Sequence, residues 1–489
     1  MPLGEEDALA LAKSLWADWS KERERFDLYD RYYNGDHPMP QQPQRLTTAY
    51  TELLASSVSN WTRLIVDVVA ERLEVKSVVS STETEREPNA WTWWQENNLD
   101  YQSNNLHVSA LKHGVAYMAV GKPLDGMKSP RLIGQPATQV HVRFDPDRNI
   151  ATAALKVWQG RDGLTYATVW DAEAIYRFVS PGKTMATDGS VAFNPVVAAV
   201  DQQALEPRPN DDDGGWLLPN DMGAVPFVKF PCQPDLVGGY TSEIAPILTI
   251  QDRINKTTFH RLLAQEFTAF PQRWVTGIDI PTDPITGEPI EPFSAAVDRL
   301  WAATDPDTQF GQFPAGSSSD YIASITADVQ ALATQSRTPP HYLTGGMGQF
   351  PSGESVRATE YGLYQKVRDR RVTFGEAWGD TMRLAAKAAG QEALATDVGL
   401  TVAWEDVEAR TEGEIVDALL KMSTLGVPLK ALWSRWGATP DEIDAWDKLR
   451  AQEVATAEGM AGLPTAPPST PTPPATGTNN PQDARASAF

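Results

Sequence analysis

PPHYLTGGMGQFPSGES, residues 339–355, packs four glycines and three prolines between two different helical patterns. Glycine frees the backbone and proline removes an amide donor, so neither pattern runs through this stretch. After it, Val356, Leu363, Val367, Phe374, Trp378, Met382 and Ala385 recur at steps of three, four or seven, the signature of one helix face, until Gly390 closes it. Such a helix extends about 50 Å, longer than most helices of small domains. Before it, Ile322, Ile325, Val329 and Leu332 predict a helix over residues 319–335, stopped by Pro339 and Pro340.

Further upstream, Ile247, Ile250, Ile254, Leu262 and Phe267 mark a helix over 242–270, broken near its start by Pro246 and carrying only a narrow apolar stripe. Two helices thus flank a proline-rich insertion. Residues 114–230 change texture: VAYMAV, VHVRF, ALKVW, TYATVW, AIYRFV and VPFVKF are short, β-branched or aromatic, and separated by Gly, Pro and Asp, which predicts a β-rich block. At the N-terminus, Leu9, Ala12, Trp16, Trp19, Phe26 and Tyr33 predict a helix over 5–33 that Gly35 and Pro38 end. Leu54, Val58, Trp61, Ile65, Val68 and Arg72 predict one half-buried helix through VSNWTRLIVDVVAERL, and WTWWQENNLDYQSNNLHVSALKHG reads as helix too. LTVAWEDV reads as a strand, and 412–458 as helix again, with Thr439, Pro440 and Glu442 forming a capping box. The last 27 residues hold seven prolines and few large apolar groups, which predicts disorder.

Composition excludes several classes. No run approaches the roughly 18 apolar residues of a bilayer span, and the acidic start MPLGEEDALALAKSLW lacks the basic region of a secretory signal. The single cysteine, Cys232, excludes an intrachain disulfide. Forty-two basic against 64 acidic residues give a net charge of −22, which disfavours tight duplex binding but permits DNA to slide past. Sixteen tryptophans suit interfaces as well as cores.

Catalytic motifs are missing. GVAYMAVGK spaces its glycines wrongly for a phosphate loop, and DPDRNIATAALK, which begins like a calcium loop at Asp145, Asp147 and Asn149, has Ile150 at the turn glycine. The histidines show no ligand spacing, so His107 and His113 read as helix-surface or interface groups. Ser352 and Glu354 read as helix cap and dipole partner rather than as nucleophile elbow. Lys366, Arg368, Arg370 and Arg371 stand out in an acidic chain. They read either as a solvated face pairing with Asp369 and Glu376, or as a positive stripe meeting a neighbouring subunit or DNA without reading bases.

LYDRYYNGDHPMP, NWTRLIVDVVAERLEV, TSEIAPILTIQDRIN, FPQRWVTG, TPPHYLTG and PSGESVRATE, in this order, resemble portal proteins of long-tailed double-stranded DNA bacteriophages, especially those of actinobacterial hosts. The resemblance spans about Leu28 to Arg383. It implies an α+β portal fold with long helices, a β-rich wing, a clip insertion and a helical crown. The implied regions are an N-terminal wing (1–241), stem helices (242–268 and 317–338), a clip (269–316), a tunnel loop (339–352), a wing with the long helix (353–410), a crown (411–460) and a proline-rich tail (461–489). It also implies a dodecameric ring at one capsid vertex, the channel for DNA packaging and ejection and the platform for head-completion and tail proteins, with no enzymatic activity and neither cofactor nor metal. Gly345, Gly346, Met347, Gly348, Gln349 and Phe350 are the implied DNA-facing loop, and Trp274, Phe293 and Trp301 the implied clip anchors. Implied partners are further copies of the chain, terminase, a head-completion adaptor, major capsid and scaffolding proteins, and passing double-stranded DNA, with no membrane. Assembly is expected in the host cytoplasm and residence in the virion. The competing readings are a carboxylate-metal phosphodiesterase or nuclease on Asp145 and Asp147, or another virion structural protein.

Overall fold

Helix α1 (Glu5–Asn34) begins with Glu5, Glu6 and Asp7 in its first turn, where acids favour the positive helix end, and stops at Gly35, whose φ of 84° turns the chain left-handed. This is the first element of a computed structural model that describes residues 1–38, 48–81, 86–124, 126–180, 205–209, 214–269, 273–277, 285, 307–312, 318–344, 353–406, 412–438 and 440–461. Residues 1–408 form one compact unit and 409–489 a second. The implied tunnel-loop residues Gly345–Phe350, the clip residues Phe293 and Trp301, and the proline-rich tail lie outside the described residues.

Two expected helices are each two. Helices α2 (Thr48–Ser56) and α3 (Trp61–Ala70) separate because the Asn60 side chain accepts the Arg63 amide at 3.2 Å and starts a new helix, although the apolar spacing runs on. Helices α4 (Pro88–Glu96) and α5 (Leu99–His113) separate at Asn98, which is left-handed at φ 54°. There Asn97 turns outward to accept the Leu132 amide and donate to the Pro130 carbonyl, tying the break to a neighbouring strand. Strand β1 (Val75–Val79) lies between α3 and α4 and was not anticipated.

Strands β2 (Val115–Gly121) and β3 (Arg131–Pro136) pair antiparallel, and β4 (Val140–Phe144), β5 (Ala151–Gln159), β6 (Thr165–Trp170) and β7 (Ala174–Ser180) form a meander. Short strands β8 (Glu206–Pro207) and β9 (Leu217–Pro219) both pair with β7, while β10 (Phe227–Pro231) adds to β2, giving the order β10-β2-β3. The expected β-rich block is therefore two antiparallel sheets. The first half of α1 covers the meander: Ala8, Ala12, Leu15, Trp16 and Trp19 pack on Leu155, Val157, Val169, Tyr176 and Phe178.

A 3₁₀ turn (Ala245–Ile247) leads into α6 (Leu248–Ala269), followed by the strand pair β11 (Arg273–Thr276) and β12 (Gln309–Gln312), then α7 (Ser319–Ser336) and α8 (Pro340–Thr344). Helix α9 (Gly353–Ala388) is the expected long helix; α10 (Glu392–Ala395) and strand β13 (Thr401–Trp404), antiparallel to β1, follow it. The second unit comprises α11 (Glu412–Thr424), α12 (Leu429–Trp436) and α13 (Pro440–Ala461), joined internally by an edge-to-face Trp433–Trp446 contact and a Lys430–Asp447 ion pair. Helix and antiparallel sheet segregate along the chain, which makes the fold α+β.

The α9 stripe is the spine of the main core. Leu363, Val367, Phe374, Trp378 and Met382 are fully buried against α3, α4, α5, β2 and β10. His107 and His113 are not surface groups: both are buried, because α5 is enclosed on opposite faces. Trp378 Nε1 donates to His107 Nε2 at 2.9 Å, placing the imidazole proton on Nδ1, and burial lowers the His107 pKa to about 3. His113 Nε2 lies 2.9 Å from Asp30 Oδ1, which Lys112 also pairs. Burial opposes the Asp30 charge, but these two partners outweigh it and hold the carboxyl well below its ordinary range. Replacing Trp378 by alanine should destabilise unit 1 by about 3–5 kcal/mol and by phenylalanine by about 1 kcal/mol, read from urea denaturation midpoints.

Candidate assembly site at the root of the helical hairpin

Helices α6 and α7 form an antiparallel hairpin whose lower half is packed and whose upper half holds no fully buried described residue. Ile247, Ile250 and Ile254 meet Val329, Leu332, Ala333 and Leu343 there, with Ile65 of α3 beneath. Arg253 Nη2 and Asp328 Oδ1, 2.7 Å apart, bridge the helices at the edge of this cluster. Beyond it, no described α6 residue from His260 onward and no α7 residue before Asp328 is buried, and Ile322 is 50 % exposed. Roughly 13 Å of two-helix rod therefore has no fully buried side chain among the described residues. The apolar stripe is narrow because only the root has something to cover.

One carboxylate holds the root. Glu243, just before the 3₁₀ turn, is 4 % exposed; its Oε2 lies 2.8 Å from Lys366 Nζ, and its Oε1 lies 2.8 Å from both Nε and Nη2 of Arg370. Gln233 Nε2 donates to Oε1 at 3.3 Å. Lys366 also donates to the Ser336 carbonyl at 2.8 Å, in the last turn of α7. A single ammonium on α9 thus touches both legs of the hairpin. Burial would raise the Glu243 pKa, but Lys366 and Arg370 outweigh it and lower it to about 2. The Cys232 thiol beside them is pushed far up, by burial first and then by the Glu243 charge, so it is inert at neutral pH.

The glycine-rich stretch has equally firm feet. Tyr342 of α8 donates to Glu360 Oε1 at 3.0 Å and accepts from Arg72 Nη2 at 2.7 Å, while Tyr364 also donates to Glu360. Arg72 in turn donates to the Val68 carbonyl and offers its own carbonyl to Arg371. Residues on either side of 345–352 are therefore cross-linked through one buried carboxylate. A third latch joins α6 to α1: Asn255 donates to His37 Nδ1 at 2.8 Å, His37 Nε2 donates to the Tyr32 carbonyl at 3.0 Å, and Tyr32 donates to Asp252 at 2.5 Å. Burial lowers the His37 pKa, in keeping with this neutral role.

The structure separates the four basic residues of the 366–371 cluster. Lys366 and Arg370 are consumed by Glu243 and Arg371 by the Arg72 carbonyl; Arg368 alone is exposed. Neither Asp369 nor Glu376 is the partner of Lys366 or Arg370, because those cations sit one helical turn apart on the buried face. Trp274, 37 % exposed on β11, lies across Gly311 of β12, where a Cβ would overlap its ring. Asp145 accepts the backbone amides of Asp147 and Arg148 and so caps its own turn. Among the described residues no group of three or more His, Cys, Asp or Glu could hold a metal ion, and no helix is long and apolar enough to cross a membrane. Sequence reasoning missed Glu243, Glu360 and Arg72. A lone acid inside the apolar run SEIAPILTI, and bases at positions 366 and 370, were the available signals.

The family described as phage portal protein, SPP1 Gp6-like, matches residues 12–456. The portal protein of Mycobacterium phage L5 is 27 % identical over 438 residues, covering 83 % of this chain and 84 % of the relative. That of Mycobacterium phage D29 is 26 % identical over 422 residues, covering 82 % and 80 %.

Removing the Glu243 charge should strand two buried cations, so Glu243→Gln should cost about 3–5 kcal/mol in denaturant unfolding. The wild-type pair should contribute fully above the unfolded carboxyl value of 4.5 and fade as pH falls toward the folded value of about 2, a slope that Glu243→Gln abolishes.

Proposed function

The chain belongs to the phage portal family of the SPP1 Gp6-like type, and from that membership we propose that it assembles as a dodecameric ring at one capsid vertex of a long-tailed bacteriophage. In this reading double-stranded DNA is driven inward through the ring by a separate terminase, leaves through it at ejection, and head-completion and tail proteins attach to it. The subunit catalyses nothing and holds no cofactor or metal. It assembles in the host cytoplasm with major capsid and scaffolding proteins and resides in the virion.

The observation that carries this reading is the half-packed hairpin. A rod of two helices, locked at its root by Lys366 and Glu243 and with no fully buried described residue from His260 to its end, leaves Ile322 half exposed and needs neighbours along its flank. A closed ring of identical rods supplies them. The stem is then 242–268 with 317–338, the clip 269–316 with Trp274, Phe293 and Trp301 as anchors, and the tunnel loop 339–352. Residues 1–241 and 353–410 are the wing, 411–460 the crown and 461–489 the proline-rich tail. Among Lys366, Arg368, Arg370 and Arg371, Arg368 is the exposed one that can meet a neighbour or DNA. Each subunit carries −22, so a ring repels phosphate, which suits passage without adhesion.

Negative-stain imaging and light scattering of the purified chain should give a closed ring with an axial hole; a monodisperse monomer at micromolar concentration under every salt condition contradicts the reading. In a packaging reaction, Gly346→Pro with Gly348→Pro should stall DNA entry while ring assembly and terminase ATPase activity persist; normal packaging would reduce the segment to a connector.

A further inference from the structure

Where the β10-β2-β3 sheet meets the meander, a pocket of about 210 Å³ remains unfilled. Strand pairing explains its walls. Arg131, Ile133 and Gln135 alternate along one face of β3, opposite Gly121, Ala119 and Tyr117 of β2, and Phe227 of β10 sits opposite Ala119. From the other sheet come Lys156 of β5 and Trp170 of β6. Trp170 and Phe227 meet edge to face with ring centroids 5.0 Å apart and close one side.

The polar side chains of this pocket make no hydrogen bond or ion pair among the described residues. Gln135 is 7 % exposed and lines the space, yet its side-chain amide makes no hydrogen bond to any described residue. That amide therefore keeps its donors and acceptor available to a group entering the pocket. Lys156 makes no ion pair or hydrogen bond among the described residues; its Nζ lies 5.6 Å from the centre of the Trp158 ring. Arg131 likewise has no acidic partner among them, and its guanidinium lies over Gly121, where a Cβ would stand 3.2 Å from Nη2. No lining residue is acidic, in a chain with 64 acids.

We propose that this pocket binds a carboxylate carried on an apolar stem of about aromatic size. The carboxylate takes hydrogen bonds from Lys156 and the Gln135 amide with Arg131 at the rim, and the stem packs on Trp170, Phe227 and Ile133. That chemistry belongs equally to a free arylalkanoate and to a glutamate side chain flanked by apolar residues on another protein. Burial also holds the Lys156 pKa below its ordinary value, which leaves more free amine for acylation than a solvated lysine offers.

The test is lysine acetylation of the full-length protein at mildly alkaline pH, with rates mapped by mass spectrometry. Three probes are compared: 3-phenylpropionate, its neutral amide 3-phenylpropanamide, and acetyl-Phe-Glu-Phe-amide. A carboxylate probe should slow acetylation of Lys156 saturably while leaving the exposed Lys256 unaffected. Stronger protection by the free acid assigns a small-molecule ligand, and stronger protection by the peptide assigns a protein side chain. Gln135→Leu and Arg131→Gln should each weaken protection about tenfold. Equal protection by the neutral amide, no protection by either acid at millimolar concentration, or unchanged protection in both variants would overturn the assignment.

Discussion

The contact on which the rest of the first unit depends is the buried pairing of Glu243 with Lys366 and Arg370. Taking three charges out of water is expensive, and a buried pair is poor as a source of net stability. What it supplies is position. Lys366 reaches the Glu243 carboxylate before α6 and the Ser336 carbonyl at the end of α7, so the long α9 helix fixes both legs of the hairpin at one point. Arg370, one turn further on, holds the same carboxylate from the other side and blocks rotation about that point.

A fixed root matters because the hairpin has so little else to hold it. Apolar contact reaches only Phe259 on α6 and Ile325 on α7, and Arg253 with Asp328 adds only a half-exposed ion pair. The Glu360 hub does for the glycine-rich stretch what Glu243 does for the hairpin, joining α8 to α9 through Tyr342, with Arg72 anchoring the tyrosine to α3. Both feet are therefore set by buried carboxylates whose partners come from distant elements. A subunit built this way presents its inserted segments from a rigid frame, as repeated elements in a symmetric assembly must be presented.

Much of the frame was legible because it rests on periodicity. The α9 stripe, the first helix with its Gly35 stop, and the antiparallel β-block all appear where spacing and turn residues put them. The breaks at Asn60 and Asn98 were not legible, since the apolar pattern continues through both and asparagine serves as a cap only when its backbone leaves the helix. Strand β1 was hidden because its partner β13 lies more than three hundred residues away. The same distance effect hid the charged joint. Lys366 and Arg370 look like a solvated face when neighbours are sought within the helix, and become a core device only once Glu243 arrives from 123 residues upstream of Lys366. The family resemblance was carried by short strings in order, and the residues it implied for DNA and partner contact lie largely outside the described structure.

Hydrogen exchange by mass spectrometry on the wild-type chain and Glu243→Gln tests the role of the joint most directly. The account predicts that amides of α6 and α7 exchange about tenfold faster or more in the variant, with a smaller acceleration in the β4–β7 meander, because the loss opens the hairpin root locally. Unchanged exchange in the hairpin, or equal acceleration in hairpin and meander, would contradict it.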